Sequence, residues 1–376
     1  METSANIPSL YVIGDLHLDH LIWKRHRQVA DDSILGLNEV SDLALRNRVP
    51  VLLAGDVFDT SDPDPDLVQM VRVQAELLHR AGVRVMALQG NHDRRPVPWY
   101  SACSDVIEHV GDGRPFEVDG IRLVGFDFAL KDQIEAQLAQ LSADMAAGTI
   151  KADVLILHQA VRQYLGIEGK WNCDLDWVPR EISTVLMGDI HDPVEVRARD
   201  GVAAYYTGST HPRSITEFGP KSVIGLHRDR SITRTPIRGR RFLKLVLTPM
   251  SNPDEANREL DQLTRGDHVL PPVVWIRHDE LSFELVEQLR ARWTGVSGLI
   301  VLTEPIVGRV EIEESGEIET TEVPSPAAAL AQLVDQKVEP EVYQLALDLL
   351  AATSTRDISD RIAGARDRFF ATQAHA

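Results

Sequence analysis

Aspartate and histidine recur in this chain directly after short apolar runs, and these are the residues whose types and spacing could carry out chemistry. The first run, Leu10–Ile13, ends in Gly14-Asp15-Leu16-His17. Residues i and i+2 of an extended segment point the same way, so Asp15 and His17 can face one point. Four further runs end in the same manner, at Asp56, at Asn91 and His92, at His158, and at Asp189 and His191.

These side chains form a coherent set of metal ligands. Carboxylate, imidazole and amide oxygen suit borderline to hard divalent metals, and no thiolate is present to select a softer site. One carboxylate can bridge two cations, and Asp56 is the natural candidate because it lies between the other ends in chain order. Two cations about 3.5–4 Å apart activate a water and stabilise both oxygens of a phosphoryl transfer. Taken singly, a Gly-Asp after a strand favours a turn and a lone loop histidine favours solvation; only the repetition favours a metal site.

Strands alternating with helices must position these residues. Apolar runs such as Val49–Ala54 read as strands buried on both faces, which indicates a layered α/β domain with a largely parallel core sheet. Ligands in such sheets lie beyond the carboxyl ends of the strands. Asp119-Gly120 predicts a hairpin turn. We also expect a helix over Ser101–His109 and a surface insertion over Gly166–Pro179.

The pattern of predicted strands and helices changes around Arg238–Arg241. A β-α-β-α-β pattern follows and predicts a second, smaller domain. An acidic, proline-containing stretch then precedes a segment with apolar residues at helical spacing. We therefore expect four parts, which are a first domain at 8–236, a smaller domain at 237–310, an acidic linker at 311–326 and a helical tail at 327–376.

Composition sets limits on the function. The chain has 376 residues, a 43% apolar fraction and a formal net charge of −18. This charge argues against holding nucleic acid by bulk electrostatics, although bound cations change the local field of a metal site. Two cysteines are too few for a disulfide framework, and neither a signal peptide nor a membrane span is evident. The sequence predicts a cytoplasmic protein with no membrane partner.

The five strand ends resemble the motifs of a known superfamily. They are similar to those of the calcineurin-like metallophosphoesterases. Leu157-His158-Gln159, Tyr206–Thr210 and the segment at 221–243 further resemble DNA double-strand-break repair nucleases of the SbcD type. The resemblance implies a layered α/β/β/α metallophosphoesterase sandwich with a smaller β-α-β-α-β cap domain and a helical C-terminal tail.

The resemblance also implies roles for the residues at the strand ends. One metal would be held by Asp15, His17, Asp56 and His191. The other would be held by Asp56, Asn91, His158 and Asp189. His92 would be the catalytic histidine that does not bind metal. Mn²⁺ is the usual metal of the family, with Mg²⁺ as the alternative.

Two positions depart from the family or vary within it. Asp189 stands where the family usually has histidine, and we expect it to ligate because its oxygens suit Mn²⁺ or Mg²⁺. Asp59 stands where some members carry a histidine that contacts the substrate strand.

The resemblance implies a metal-dependent DNA nuclease of double-strand-break repair and recombination. It would act as a 3′→5′ exonuclease on duplex ends and as a single-strand endonuclease. Its partners would be DNA, an SbcC-type coiled-coil ATPase bound through the tail, and a second copy of the chain. The locally basic segment at 213–244 supplies three candidate DNA contacts, which are Arg213, Arg240 and Arg241. Asp59 is the fourth candidate.

Several alternatives remain open from the sequence. The acidic net charge favours another calcineurin-like phosphoesterase, such as a cyclic-nucleotide phosphodiesterase or a protein phosphatase. The departure at Asp189 is the one feature that favours a non-catalytic scaffold subunit. The basic segment can also be a solvated strand face, and the tail can dock on its own protein.

Overall fold

The computed structural model describes residues 7–19, 32–167, 169–197, 202–213, 217, 220–248, 251–265, 270, 272–278, 284, 286–288, 291 and 300–305. These residues belong to one unit, Met1–Gly308. A second unit, Arg309–Ala376, lies outside the described residues, as do the predicted linker at 311–326 and the tail at 327–376. The four-part division of the chain stays a prediction.

The described elements follow one another in the alternating order expected from the sequence. In chain order they are β1 (Leu10–Ile13), α1 (Asp32–Asn47), β2 (Val51–Ala54), α2 (Pro65–Arg80), β3 (Val85–Leu88), β4 (Glu108–His109), β5 (Asp112–Val118), β6 (Ile121–Phe126), α3 (Lys131–Ala146), β7 (Val154–His158), α4 (Arg162–Leu165), β8 (Thr184–Gly188), β9 (Glu195–Arg197), β10 (Ala203–Tyr206), β11 (Ser222–Leu226), β12 (Ile232–Pro236), β13 (Phe242–Leu247), α5 (Pro253–Thr264), β14 (Val273–His278) and β15 (Ile300–Pro305). Short 3₁₀ helices span Trp99–Cys103 and Leu175–Trp177.

Two six-stranded sheets carry the strands that end in candidate ligands. The first has the order β12-β11-β1-β2-β3-β4, and the second has the order β5-β6-β7-β8-β10-β9. In the first sheet β1 to β4 run parallel, and in the second β6, β7, β8 and β10 run parallel. Antiparallel strands lie on the outside of these parallel centres. The carboxyl ends of β1, β2 and β3 therefore lie side by side, as do those of β7 and β8.

Side-chain alternation along β1 explains how the layers pack. Leu10 and Val12 point into a core shared by the two sheets, which also contains Leu123 and Leu186. Tyr11 and Ile13 point the other way, into the core beneath α1 and α2. Helix α3 covers the outer face of the second sheet through a third core. Each face of both sheets is therefore buried, which confirms the predicted layered α/β/β/α sandwich.

A third, three-stranded sheet follows the two larger ones. Its order is β13-β14-β15, all parallel, with α5 between β13 and β14. Parallel neighbours need a crossover connection, and α5 supplies the first one. Asn252 caps this helix by accepting a hydrogen bond from the backbone N–H of Asp254. The connection between β14 and β15 falls largely outside the described residues.

The local sequence predictions succeeded at the hairpin and failed at two other segments. β5 and β6 form an antiparallel hairpin in which Asp119 and Gly120 both have positive φ, as a type I′ turn requires. The predicted helix at Ser101–His109 was wrong, because Glu108–His109 pairs with β3 as strand β4. The segment Gly166–Pro179 is not simply a surface insertion, because Cys173 is fully buried in the core beneath α3.

Within the part of the chain that the structure describes, every helix is too short or too polar to cross a membrane.

Candidate metal centre

The five predicted strand ends converge on one centre between the two large sheets. Residues after β1, β2 and β3 approach it from the first sheet, and residues at the ends of β7 and β8 approach it from the second. Potential ligand atoms there lie within 4.8 Å of one another in three overlapping groups. These groups are Asp15 with His17 and His191, His17 with Asp56 and His92, and Asp15 with Asp56 and His158.

The backbone at this centre is strained. Asp15, His17, Asp56 and Asp189 have φ angles of 54°, 40°, 49° and 93°, in the left-handed region that non-glycine residues seldom adopt. Such conformations cost about 1–3 kcal/mol each and persist where the surrounding structure fixes them. The fold therefore holds these side chains in an unfavourable backbone geometry that aims them at a common point.

A glycine makes room for the central carboxylate. A Cβ atom on Gly90 would lie 2.0 Å from Asp56 Oδ1 and 2.3 Å from the backbone nitrogen of Asp56. No side chain fits there, which explains why the third strand end reads Gly-Asn-His. The backbone N–H of His92 donates to Asp56 Oδ1 at 2.9 Å, so this close approach also fixes one oxygen of the carboxylate.

Asp56 lies between two groups of candidate ligands. Its Oδ2 lies 3.5 Å from His17 Nε2 and 3.4 Å from His158 Nε2. Asp15 lies on the His17 side, with Oδ1 3.8 Å from His17 Nε2. Asp189 lies on the other side, with Oδ1 3.9 Å from His158 Nε2. One carboxylate oxygen thus separates two groups that each combine an imidazole with a second carboxylate.

Asn91 completes the donor set on the side of His158 and Asp189. One terminal atom of its amide lies 3.0 Å from His158 Nε2, 3.2 Å from Asp56 Oδ2 and 3.3 Å from Asp189 Oδ1. With the NH₂ group at this position the amide donates to both carboxylates, and with the oxygen there it can bind a cation. An imidazole, two carboxylates and an amide oxygen are donors that suit a borderline to hard divalent metal, so the residues present fit the group.

The electrostatics of the centre lead to the same conclusion. Burial, with the nearby charge of Asp56, raises the pKa of Asp15 to about 6, and burial also raises the pKa of Asp189. Burial disfavours a charge on His158, but the carboxylate of Asp56 outweighs this and raises the pKa of His158. A proton on this imidazole therefore supplies the counter-charge that a metal would otherwise supply, and metal binding would release it.

Two of the imidazoles are oriented by acceptors outside the centre. His158 Nδ1 lies 2.7 Å from the carbonyl oxygen of Ala54, and His191 Nδ1 lies 2.9 Å from Glu217 Oε1. When Nδ1–H donates outward, Nε2 is left to face the centre as a ligand. Such outer partners fix the tautomer of a metal-binding histidine and raise its basicity.

Glu217 is held in turn by a buried network that sequence reasoning did not identify. Its Oε2 accepts hydrogen bonds from Lys221 Nζ at 3.0 Å, from Ser209 Oγ at 3.1 Å and from the backbone N–H of Arg213 at 3.2 Å. Burial opposes its ionisation, but the bond from His191 and the charge of Lys221 lower the pKa of Glu217 to about 2. Only the four-residue spacing of Glu217 and Lys221 could have pointed to this pair.

Asp93 is a second positioning residue that the sequence did not single out. Its carboxylate accepts hydrogen bonds from the backbone N–H groups of Gly90 and Val57 at 2.8 and 2.9 Å, and from Trp99 Nε1 at 3.2 Å. The loop after β2 and the loop after β3 are thereby tied together.

His92 lies at the opening of the centre. Its side chain is 37% exposed, and its ring packs edge-on against His17 with centroids 4.8 Å apart. Its Nδ1 lies 3.0 Å from the carbonyl oxygen of Asp59. When Nδ1–H donates to this oxygen, Nε2 remains available to a bound substrate.

The four predicted DNA contacts lie in three different settings. Arg213 pairs with the carboxylate of Asp59, and its Nη1 lies 3.2 Å from His17 Nε2, so both residues lie at the metal centre. Arg240 forms a buried, bidentate ion pair with Asp32 at 2.7 and 2.9 Å. Arg241 is exposed. The structure therefore gives no support to a phosphate contact by Arg240.

Comparison with known proteins places this geometry in a family. Residues 8–193 match the family model for the calcineurin-like phosphoesterases. This part of the chain is a calcineurin-like phosphoesterase domain. The predicted membership in that superfamily is thereby confirmed, and both candidate ligand groups of the domain lie within the matched residues.

Individual relatives of the phosphoesterase domain are distant. The chain is 24% identical over 207 residues to the DNA double-strand break repair protein Mre11 of Saccharolobus solfataricus, which covers 52% of this chain and 53% of that protein. It is 26% identical over 235 residues to the uncharacterized metallophosphoesterase YhaO of Bacillus subtilis, covering 57% and 56%. Thus the chain spans about half the length of the curated relatives it matches.

Proposed function

We propose that the protein is a two-metal DNA nuclease that acts in the repair and recombination of DNA double-strand breaks. The observation that carries this proposal is the position of Asp56 Oδ2, 3.5 Å from His17 Nε2 and 3.4 Å from His158 Nε2. A carboxylate between two such groups is the arrangement that holds two cations for phosphoryl transfer. The double-strand-break repair proteins among the relatives support DNA as the substrate.

Seven side chains would hold the two cations, with Mn²⁺ as the proposed metal and Mg²⁺ as the alternative. They are Asp15, His17, Asp56, Asn91, His158, Asp189 and His191. When bound, the cations lower the pKa of a water and stabilise the charge that develops on the phosphoryl oxygens.

The remaining chemistry falls to His92 and Arg213. His92 lies at the opening with its Nδ1 engaged by the Asp59 carbonyl, so its Nε2 can give a proton to the leaving oxygen. Arg213 lies beside His17, where its guanidinium can hold a non-bridging phosphate oxygen. Neither role requires the side chain to bind metal.

The finer features of the proposal follow the resemblance to SbcD-type nucleases. We propose 3′→5′ exonuclease activity on duplex ends, together with single-strand endonuclease activity. We further propose that residues 327–376 bind an SbcC-type coiled-coil ATPase and that the chain forms a homodimer.

An end-labelled DNA duplex incubated with the full chain and Mn²⁺ tests the proposal directly. We expect cleavage that stops on chelation and is abolished in His92→Asn, while Mn²⁺ binding measured by calorimetry is unchanged in that variant. His79→Asn is the matched control, because His79 is exposed on α2. Absence of Mn²⁺-dependent DNA cleavage by the wild type, alone and with the ATPase, would refute the nuclease assignment.

Another phosphoesterase activity is the second candidate, and the net charge of −18 favours it. A parallel assay on cyclic nucleotides and phosphopeptides decides between the two. Turnover of these substrates without DNA cleavage would support the second candidate. Full Mn²⁺ occupancy without turnover of any substrate would instead support a scaffold subunit.

A further inference from the structure

A cavity of about 680 Å³ opens beside the metal centre. Its walls come from the segment after β3, which includes Gln89, Arg94 and Arg95, and from the segment after β6, which includes Phe128. Residues of α3 complete the rim. This volume lies within the range of about 300–1,000 Å³ typical of small-ligand sites. None of the proposed catalytic roles uses this cavity.

The cavity adjoins the position proposed for the reacting phosphate. Arg94 follows His92 by two residues, and Gln89 precedes Asn91 by two. The ring of Phe128 lies 6.5 Å from the ring of His158, centroid to centroid, in an edge-on arrangement. A strand whose phosphate lies at the metal centre would therefore place a neighbouring nucleotide at the cavity.

The lining combines an aromatic ring with unpaired positive charge. The guanidinium of Arg94 lies 5.9 Å from the centre of the Phe128 ring. Among the residues that the structure describes, no carboxylate forms an ion pair with Arg94 or Arg95, and both side chains are exposed. Aromatic rings stack on nucleobases regardless of sequence, and arginines beside them bind phosphates.

The one acidic residue of the wall is already engaged. Asp127 accepts hydrogen bonds from the backbone N–H of Gln89 at 2.8 Å, and its carboxylate lies 3.0 Å from His109 Nε2. Gln89 Oε1 in turn accepts a hydrogen bond from the backbone N–H of Arg95 at 2.9 Å. These bonds brace the segment that carries the two arginines, and the donors to Asp127 reduce its repulsion of an anionic ligand.

We propose that this cavity holds the nucleotide adjacent to the scissile phosphate, with its base on Phe128 and its phosphate at Arg94 and Arg95. The inference rests on the proposed nuclease function and adds a base-stacking subsite to it. Stacking does not distinguish bases, so the subsite favours strands that are unpaired at this nucleotide without selecting a sequence.

Single-stranded oligonucleotides with one abasic residue test the stacking. The abasic residue is placed on either side of the cleaved bond, and we expect one of the two positions to lower kcat/KM about tenfold in the wild type. Phe128→Leu should lower kcat/KM about tenfold on intact strands and cause no further loss on that abasic strand. Phe128→Tyr, which keeps the ring, should behave as the wild type. Equal losses from Phe128→Leu on intact and abasic strands would overturn the proposal.

Binding gives a readout that does not depend on cleavage. The measurement is the fluorescence of 2-aminopurine placed at the sensitive position, with Ca²⁺ present so that the strand is not cleaved. We expect the wild type and Phe128→Tyr to quench this fluorescence, and Phe128→Leu to leave it unchanged.

The salt dependence of binding tests the two arginines. Arg94→Gln and Arg95→Gln should each reduce the slope of log affinity against log salt by about one, whereas Arg80→Gln on α2 should not. A wild type that quenches but does not cleave would refute the nuclease function and support the subsite. A wild type that cleaves without quenching at either position would refute the subsite alone.

Discussion

Glu217 should control how tightly His191 can hold a metal, and Glu217→Gln tests this. In the wild type one carboxylate oxygen faces His191 Nδ1, and the other faces Lys221, Ser209 and the backbone of Arg213. All of these groups can act as donors. A glutamine has the same shape, but one of its two terminal atoms is an NH₂ group that cannot accept a hydrogen bond.

The orientation of that amide determines the effect. The charged ammonium of Lys221 needs an acceptor more than a neutral imidazole does, so the amide oxygen should face Lys221 and the NH₂ group should face His191. His191 Nδ1 must then become the acceptor, which moves the ring proton to Nε2 and removes the lone pair from the centre. Loss of an outer partner of this kind typically costs about 10- to 100-fold in metal affinity. That range corresponds to about 1.4–2.7 kcal/mol.

Calorimetric titration of the metal-free protein with Mn²⁺ measures this loss. We expect one of two binding events to weaken by about 10- to 100-fold, while the event that depends on His158 changes little. Glu76→Gln is the matched control, because Glu76 forms surface ion pairs with Arg72 and Arg80 on α2. If both Mn²⁺ affinities stayed at wild-type values in folded Glu217→Gln, the orienting role of Glu217 would be refuted.

Three further predictions address the ligands and the pH dependence. Asp189→Ala should lower the Mn²⁺ content from two ions per chain to one by elemental analysis, and full occupancy would remove Asp189 from the ligand set. Mn²⁺ at 100 times its Kd should stabilise the fold by about 2.7 kcal/mol, seen as a chelator-reversible rise in Tm, and an unchanged Tm would contradict binding to the folded state. The hydrogen bond to Asp127 raises the pKa of His109 above its usual 6.5, so its stabilising effect is complete below that pH and is lost as pH rises through the raised pKa. His109→Gln should therefore lower Tm at about pH 6 more than at about pH 9, and an equal loss at both would contradict this.

The convergence of the strand ends was accessible from the sequence, because it depends on local patterns. Each candidate ligand follows a short apolar run, and parallel strands bring such positions to one edge. The layered fold could be predicted for the same reason. The ligand roles assigned to Asp15, Asp56 and the other residues remain predictions, although the structure places their side chains together.

The parts that sequence reasoning missed depend on contacts between distant residues. Arg240 and Asp32 are separated by 208 positions, and neither residue carries a local signal of its partner. A charge count over the segment therefore treated Arg240 as available to phosphate, whereas it is buried with a counter-ion. The helix expected at Ser101–His109 failed similarly, because pairing with β3 outweighs the weak helical preference of that segment.

The division of the proposed metal ligands between the two sheets has a consequence for folding. Of the proposed ligands, Asp15, His17, Asp56 and Asn91 come from the first sheet, and the others come from the second. A pair of metals would therefore add a cross-link between two layers that otherwise meet through an apolar core and a few hydrogen bonds, such as that between His158 Nδ1 and the carbonyl oxygen of Ala54. Such a cross-link couples opening of one sheet to opening of the other. We expect the amides of β7 and β8 to exchange with solvent at rates close to those of β1 and β2 in the metal-loaded protein. On chelation the exchange rates of the two sets of amides should differ, because each sheet can then open as a cooperative unit of its own.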